Sequence, residues 1–214
     1  MRYVLLCGGI YGNWKLPRQM IKIRGEPCVA RTIRLLREIG ITDIAISTHD
    51  DRFEQFGVPL IKHSKGFTAY TKSNPKDEDG CWVDAFPPMD QPACYMLGDV
   101  VFSPGAIRKI VDTKTDGIQF FASAPPLSPK YIKPHAEPFA FKVADQKRFR
   151  AAIDYVKANN HTGIFRRRPL AWELWQVING EDVRTINFNN YVKINDYTCD
   201  IDSVEDVVRI ESQM

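Results

Sequence analysis

The chain has 214 residues, enough for one large domain but not for two ordinary ones. Its hydrophobic content of 44% excludes wholesale disorder. With 29 basic against 26 acidic side chains, the formal charge of +3 is too mild to indicate a nucleic-acid-binding or membrane-surface protein. No stretch approaches the roughly 18 consecutive apolar residues of a membrane span. Five scattered cysteines without a C-x-x-C pair favour reduced thiols, so we expect a cytoplasmic protein without a signal peptide.

The first part of the sequence predicts a strand, a helix and a second strand. Residues 3–6 form a continuous apolar run that ends at glycines, which is typical of a strand buried on both faces. A helix is predicted to have Pro27 at its first helical position and to end at Gly40. Residues 43–48 predict the next strand, so this part has the order of a right-handed βαβ unit.

The rest of the chain continues the alternation of strands and helices. Strands are predicted at 93–97, 118–122 and 139–143, and helices at 104–111 after Ser103, at 145–159, and after Ser203. Residues 64–92 contain several prolines and glycines, and residues 125–138 are rich in proline, so we expect loops there, the second of them a functional cover. The alternation predicts a single-domain three-layer α/β/α sandwich with a mixed, mostly parallel sheet.

The first candidate site follows the first strand. Gly8 and Gly9 would let backbone N–H groups approach a planar or anionic ligand closely, and they lead into the cations Lys15 and Arg18. The glycine-rich fingerprints of dinucleotide-binding and P-loop proteins are both absent. A tight turn with two solvated cations remains an equally open interpretation.

Carboxylates form the second candidate site. Asp99 follows directly after the strand at 93–97, where open α/β sheets place their ligands. Asp200 and Asp202 share one face of an extended segment, and carboxylate oxygens are preferred ligands of hard divalent cations. A turn or helix cap at Asp99 is the alternative.

Taken in order, four segments resemble one known family. They are the glycine-rich loop, the stretch P-R-Q-M-I-K-I-R-G-E-P at 17–27, the stretch L-G-D-V at 97–100 and the stretch D-I-D-S-V-E-D at 200–206. This set resembles the nucleotidyltransferases of the glycosyltransferase-A-like fold, the sugar-nucleotide pyrophosphorylases and cytidylyltransferases. The resemblance extends over almost the whole chain and is weakest at 50–90 and 125–195.

The resemblance implies a Mg²⁺-dependent reaction between two small molecules. A nucleoside triphosphate, with CTP or UTP favoured, would transfer its nucleoside monophosphate to a phosphorylated acceptor and release pyrophosphate. The acceptor would be a sugar phosphate, a polyol phosphate or phosphocholine. The nucleotide-binding half would comprise about residues 1–115, and the acceptor-binding half would comprise about residues 116–214. Relatives are often dimers, so a homodimer is a further expectation.

The resemblance also implies roles for individual residues. The nucleotide would lie against Leu6, Cys7, Gly8, Gly9 and Gly98, while Mg²⁺ would be held by Asp99 and Asp202, with Asp200 as the alternative. Lys15 and Arg18 would be the catalytic cations that hold the triphosphate, and Lys133 and Arg167 would bind the acceptor. The sequence departs from the family in the loop, where the usual arginine has no counterpart in strict register and Lys15 substitutes for it only after a small shift. It departs again at Arg18, which stands where the family usually has lysine.

Three other functions stay open. Asp200 and Asp202 have the D-x-D spacing of a glycosyltransferase that uses a nucleotide sugar. Their position near the end of the sequence argues against this function, because such a pair is expected near the middle of a chain. The altered cations suit a nucleotide-binding protein without turnover. Arg166–Arg168 beside Trp172 and Trp175 could bind single-stranded nucleic acid, but tryptophans three residues apart fit one buried helix face better.

Overall fold

The computed structural model describes residues 1–8, 16–63, 81–123 and 136–214. Gly9, Lys15 and Lys133 therefore lie outside the described residues. The described strands are β1 (Arg2–Leu6), β2 (Lys22–Ile23), β3 (Glu26–Pro27), β4 (Ile44–Ser47), β5 (Leu60–Ile61), β6 (Ala93–Leu97), β7 (Val100–Val101), β8 (Ile118–Ser123), β9 (Pro138–Val143), β10 (Val192–Ile194) and β11 (Cys199–Asp200). The described α-helices are α1 (Cys28–Glu38), α2 (Pro104–Asp112), α3 (Gln146–Asn159), α4 (Ala171–Asn179) and α5 (Val204–Glu211).

A mixed sheet of seven strands runs through the molecule in the order β10-β8-β9-β6-β1-β4-β5. Strand β1 pairs in parallel with β4 and β6, whereas β9 is antiparallel to both β6 and β8. Because β9 is antiparallel to both of its neighbours, β8 and its parallel partner β10 run in the same direction as β1. The carboxyl ends of β1, β4, β6 and β8 therefore lie at one edge of the sheet, which we call the ligand edge. The predicted mostly parallel sheet is confirmed.

Helices cover both faces of the sheet because successive strand residues point to opposite sides. Leu5 packs in one hydrophobic cluster with Ile33 of α1 and Ile107 of α2. Val4 and Tyr95 belong to the second cluster, on the opposite face, with residues of α3 and α4. The α/β/α layering predicted from the sequence is therefore confirmed, and all five cysteines are free and buried.

Helix caps follow the sequence signals with one exception. Ser103 accepts a hydrogen bond from the Ala106 amide at the start of α2, and Ser203 begins α5 in a capping box with Asp206. The prediction that Pro27 is the first helical residue of α1 is wrong by one residue. Pro27 is extended because it pairs with Lys22 in the β2–β3 hairpin, so α1 starts at Cys28.

Candidate functional site

Three strand ends meet closely at the ligand edge. The Cys7 amide donates to the Ser47 carbonyl at 2.9 Å, and the Gly98 amide donates to the Leu6 carbonyl at 3.0 Å. The structure thus brings together Leu6, Cys7 and Gly98, three of the residues predicted to bind the nucleotide. The Leu6 carbonyl and the Cys7 amide already hold the strands together, so Gly8 is the first residue whose backbone leaves the sheet.

Glycine is required at Gly98 by close packing. A Cβ atom there would lie 2.5 Å from the Cys7 sulfur and 2.8 Å from the Leu6 carbonyl oxygen, both far inside van der Waals contact. At Gly8 a Cβ atom would lie 2.9 Å from Nε2 of His63. Gly98 therefore lets the chain pass where no side chain fits, whereas a side chain at Gly8 would require the His63 ring to move.

A histidine pair lies beside Gly8. His63 is buried, and its ring meets the ring of His49 edge-on at a centroid distance of 4.3 Å. No sequence pattern singles out these residues, because they are 14 positions apart and follow two different strands, β4 and β5. Only the parallel pairing of β4 with β5 brings them to the ligand edge.

The short strands β7 and β11 unite the two acidic segments of the sequence. They pair antiparallel, with Val100 opposite Asp200, and the Ile201 amide donates to the Asp99 carbonyl at 3.0 Å. This pairing carries Asp202 alongside Asp99, although about a hundred positions separate them in the sequence. The capping box of α5 fixes Asp202 further, because the Asp202 amide donates to the Asp206 carboxylate at 3.0 Å.

Arg18 bridges the two predicted metal carboxylates. Its Nη2 lies 2.9 Å from Oδ2 of Asp99, and its Nη1 donates both to the Asp202 carboxylate and, at 2.8 Å, to the Ile201 carbonyl. The exposed fraction is 10% for the Arg18 side chain and 14% for that of Asp99, but 54% for that of Asp202. Arg18 was predicted to hold a triphosphate; in the structure its guanidinium neutralises the two carboxylates.

The donor set of these carboxylates suits Mg²⁺. Asp99 and Asp202 share one guanidinium, which places their carboxylates on the same side of the site, and carboxylate oxygens are the ligands that Mg²⁺ prefers. Asp200 is placed differently, with the Cys199 thiol 3.8 Å from its Oδ1. The part of the chain that the structure describes has no group of three or more histidine, cysteine or acidic side chains arranged for a metal. Two carboxylates are nevertheless sufficient where substrate phosphates and water complete the coordination of Mg²⁺.

Buried thiols lie behind the carboxylates. Burial raises the pKa of the Cys7 thiol well above its usual range, and the charge of Asp99 raises it further. The Cys28 thiol donates to the Val100 carbonyl at 3.2 Å, and burial raises its pKa too. Both thiols are therefore neutral packing groups and not nucleophiles.

Arg167 lies near the start of α4 and is held by an ion pair. Its Nε is 2.6 Å from Oε1 of Glu173, a carboxylate that is only 1% exposed and that also accepts from the Leu170 amide. The predicted burial of Trp172 and Trp175 on α4 is confirmed. Trp172 donates to the carbonyl of Ala136, two residues before β9 begins at Pro138. Because β9 is antiparallel to β8, this start of β9 lies at the ligand edge. Of the two predicted acceptor residues, only Arg167 lies among the described residues.

Solved structures with the same architecture are nucleotidyltransferases. A protein assigned as a glucose-1-phosphate thymidylyltransferase from Bacillus anthracis has a TM-score of 0.58 and 16% identity, over 99% of this chain and 94% of that one. The 4-diphosphocytidyl-2C-methyl-D-erythritol synthase of Anaerococcus prevotii has a TM-score of 0.57 and 12% identity, over 99% and 95%. The CTP:phosphocholine cytidylyltransferase of Streptococcus pneumoniae has a TM-score of 0.53 and 14% identity, over 99% and 97%.

These matches show that the chain has the fold of the nucleotidyltransferases, as the sequence motifs predicted. A scan against protein-family models and a search of curated protein sequences found no match. Among the described residues, no helix is both long enough and apolar enough to cross a membrane.

Proposed function

We propose that the protein is a Mg²⁺-dependent nucleotidyltransferase that transfers a nucleoside monophosphate from CTP or UTP to a phosphorylated small molecule and releases pyrophosphate. The observation that carries this proposal is the β7–β11 pairing, which brings Asp99 and Asp202 to the same guanidinium beside the backbone of Leu6, Gly8 and Gly98. The same edge of the sheet therefore offers a surface for a nucleoside next to a site for a metal.

In the proposed reaction a phosphate oxygen of the acceptor attacks the α-phosphorus in line. The new P–O bond forms as the bond to the β-phosphate breaks, and pyrophosphate leaves. Asp99 and Asp202 would hold Mg²⁺, which when bound supplies positive charge next to the α-phosphate. Arg18, displaced from the carboxylates, is then positioned to neutralise the triphosphate, together with Lys15. The protein's contribution is positioning and charge neutralisation.

The acceptor would bind on the β8 side of the ligand edge. Arg167 is paired with Glu173 of α4, and Trp172 of the same helix donates to the Ala136 carbonyl just before β9 begins. In this arrangement residues up to about 115 bind the nucleotide and the remainder bind a sugar phosphate, a polyol phosphate or phosphocholine. Glu173 holds one nitrogen of Arg167, so the ion pair positions the guanidinium for a phosphate.

One observation favours a second candidate, a nucleotide-binding protein without turnover. The Arg18 guanidinium lies between the carboxylates where Mg²⁺ would bind, so a protein in which Arg18 never leaves would bind nucleotide without catalysing transfer. Pyrophosphate release distinguishes the two candidates.

The first test is a thermal-shift panel with CTP, UTP, ATP, GTP and dTTP, each with and without Mg²⁺. A nucleotide at a hundred times its Kd stabilises the fold by about 2.7 kcal/mol, which is readily measured. We expect a Mg²⁺-dependent shift with a pyrimidine ribonucleotide, and its loss in Asp99→Asn. The absence of a shift with every nucleotide would refute the proposal.

A further inference from the structure

One side of α5 carries the two most exposed large hydrophobic side chains among the described residues. Val204 is 61% exposed and Val208 is 64% exposed, and the two lie one helical turn apart. Ile210, on the opposite side of the helix, is fully buried in a hydrophobic cluster. The side that points away from this cluster forms a shallow groove, which we call the outer face of α5. It is lined by Val204, Glu205, Val208, Arg209 and Ser212.

Two exposed valines at this spacing indicate a surface that is covered by a partner. Single exposed apolar side chains are ordinary on a protein surface, but neighbouring ones that form a patch mark interaction sites. Valine is also a weaker helix former than lysine, glutamine or glutamate, so a solvated helix position gains nothing from it. The capping box at Ser203 and the burial of Ile210 hold α5 in place without the two valines.

The charges of the outer face are complementary to each other. Glu205 and Arg209 are one turn apart, as the two valines are. Glu205 is exposed and makes no ion pair with any residue in the described ranges. Arg209 pairs with the Asp206 carboxylate, and its five N–H donors allow a guanidinium to bind a second carboxylate. A surface with one acid, one base and two valines therefore matches a copy of itself.

We infer that the outer face of α5 binds the same face of a second copy of this chain, with the two helices antiparallel about a two-fold axis. In a two-fold interface, residue i of one copy meets residue j of the other, and j meets i. Val204 then lies opposite the partner's Val208, and Glu205 lies opposite the partner's Arg209. The centres of these two pairings are one residue apart along the helix, so one register satisfies both.

The composition of the face favours a second copy over other partners. A membrane surface attracts helices whose polar face is basic, whereas here the charges of Glu205 and Arg209 cancel. An acidic partner such as a nucleic acid would be repelled by Glu205, and a basic partner would be repelled by Arg209. Two turns of helix offer less than the roughly 1,200–2,000 Å² of a standard interface, so we expect a weak dimer that depends on concentration.

This interface lies next to the carboxylate site. Asp206, the partner of Arg209, also accepts hydrogen bonds from the Asp202 amide at 3.0 Å and from the Ser203 amide at 2.9 Å. One buried side chain therefore connects the outer face of α5 to Asp202. The inference does not depend on the proposed function, because association of the protein with itself needs neither nucleotide nor metal.

Sedimentation velocity from about 5 to about 500 μM protein, without nucleotide or metal, tests the inference. We expect the wild type to pass from monomer to dimer over this range. Val208→Lys places a charge within the apolar pair and should weaken association at least about 10-fold, while lysine is the better helix former. Glu205→Lys places two like charges opposite each other and should also weaken it.

Two variants provide matched controls. Tyr155→Lys puts a lysine in place of another exposed hydrophobic residue, on α3, and Glu54→Lys makes the same change of charge on another exposed surface. Both should dimerise as the wild type does, and far-UV circular dichroism verifies that every variant is folded. A wild type that remains monomeric at the highest concentration would overturn the inference. So would a dimer that neither α5 variant weakens, or one that the control variants weaken equally.

Discussion

Replacing Arg18 with glutamine tests whether its guanidinium substitutes for a metal. Arg18 and Asp99 are both nearly buried, and breaking a buried ion pair by removing one partner costs about 3–5 kcal/mol. Asp202 is more than half exposed, so water compensates most of its loss. We therefore expect Arg18→Gln to lower the free energy of unfolding by about 2–4 kcal/mol, chiefly through the uncompensated charge of Asp99. For a domain of this size each kcal/mol lowers the Tm by about 2–4 °C.

Magnesium should reverse this loss. In Arg18→Gln the two carboxylates are available to a divalent cation, which at a hundred times its Kd would return about 2.7 kcal/mol. The wild type should gain less, because there the cation has to displace the guanidinium. The assay is urea unfolding followed by tryptophan fluorescence, in MgCl2 and in NaCl at matched ionic strength, without nucleotide.

An exposed arginine provides the control. Arg34 pairs with Glu26 and Glu38 on the surface of α1, with 44% of its side chain exposed. Arg34→Gln should therefore cost at most about 1 kcal/mol and should not respond specifically to Mg²⁺. The reasoning fails if Arg18→Gln is as stable as the wild type, or if MgCl2 and NaCl affect it equally.

Three further outcomes follow from the packing. Gly98→Ala should lower the free energy of unfolding by about 1–3 kcal/mol and abolish nucleotide binding. At the control position Gly117 a Cβ atom would meet nothing within 4 Å, so Gly117→Ala should change the free energy of unfolding by less than about 0.5 kcal/mol. Equal effects of the two substitutions in urea titrations would contradict this. Lys142→Met should lower the free energy of unfolding by about 1.5–3 kcal/mol in the same assay. The reason is that the buried Nζ donates to two carbonyls in the last turn of α2 and to the Thr113 carbonyl. An unchanged free energy of unfolding would be inconsistent with that role. The native protein should react with a thiol reagent only on unfolding, because burial raises the pKa of the thiols of Cys7, Cys28, Cys81 and Cys94. Rapid stoichiometric labelling of the native state would instead show an accessible thiolate.

The main elements were predictable because each has a strong local signal. The apolar runs of β1 and β6 and the caps at Ser103 and Ser203 fix their elements almost to the residue. Pro27 shows the limit of such rules, since hairpin pairing overrides its helix-starting tendency.

The arrangement of the site was less accessible to sequence reasoning. Strands β7 and β11 have two residues each, too few for any periodicity, yet their pairing joins the two carboxylates. The role of Arg18 depends on what its side chain meets across the fold. Sequence motifs predicted Arg18 as a cation near the nucleotide but could not show that the carboxylates hold it.

Pyrophosphate release tests the proposed transferase activity most directly. Purified protein is given Mg²⁺, CTP or UTP, and a panel of sugar phosphates, polyol phosphates and phosphocholine, with Asp99→Asn in parallel. We predict that pyrophosphate appears only when a nucleoside triphosphate and one acceptor are both present, and that Asp99→Asn loses this release. Nucleotide binding without pyrophosphate release across the panel, or transfer from a nucleotide sugar without use of a triphosphate, would contradict it.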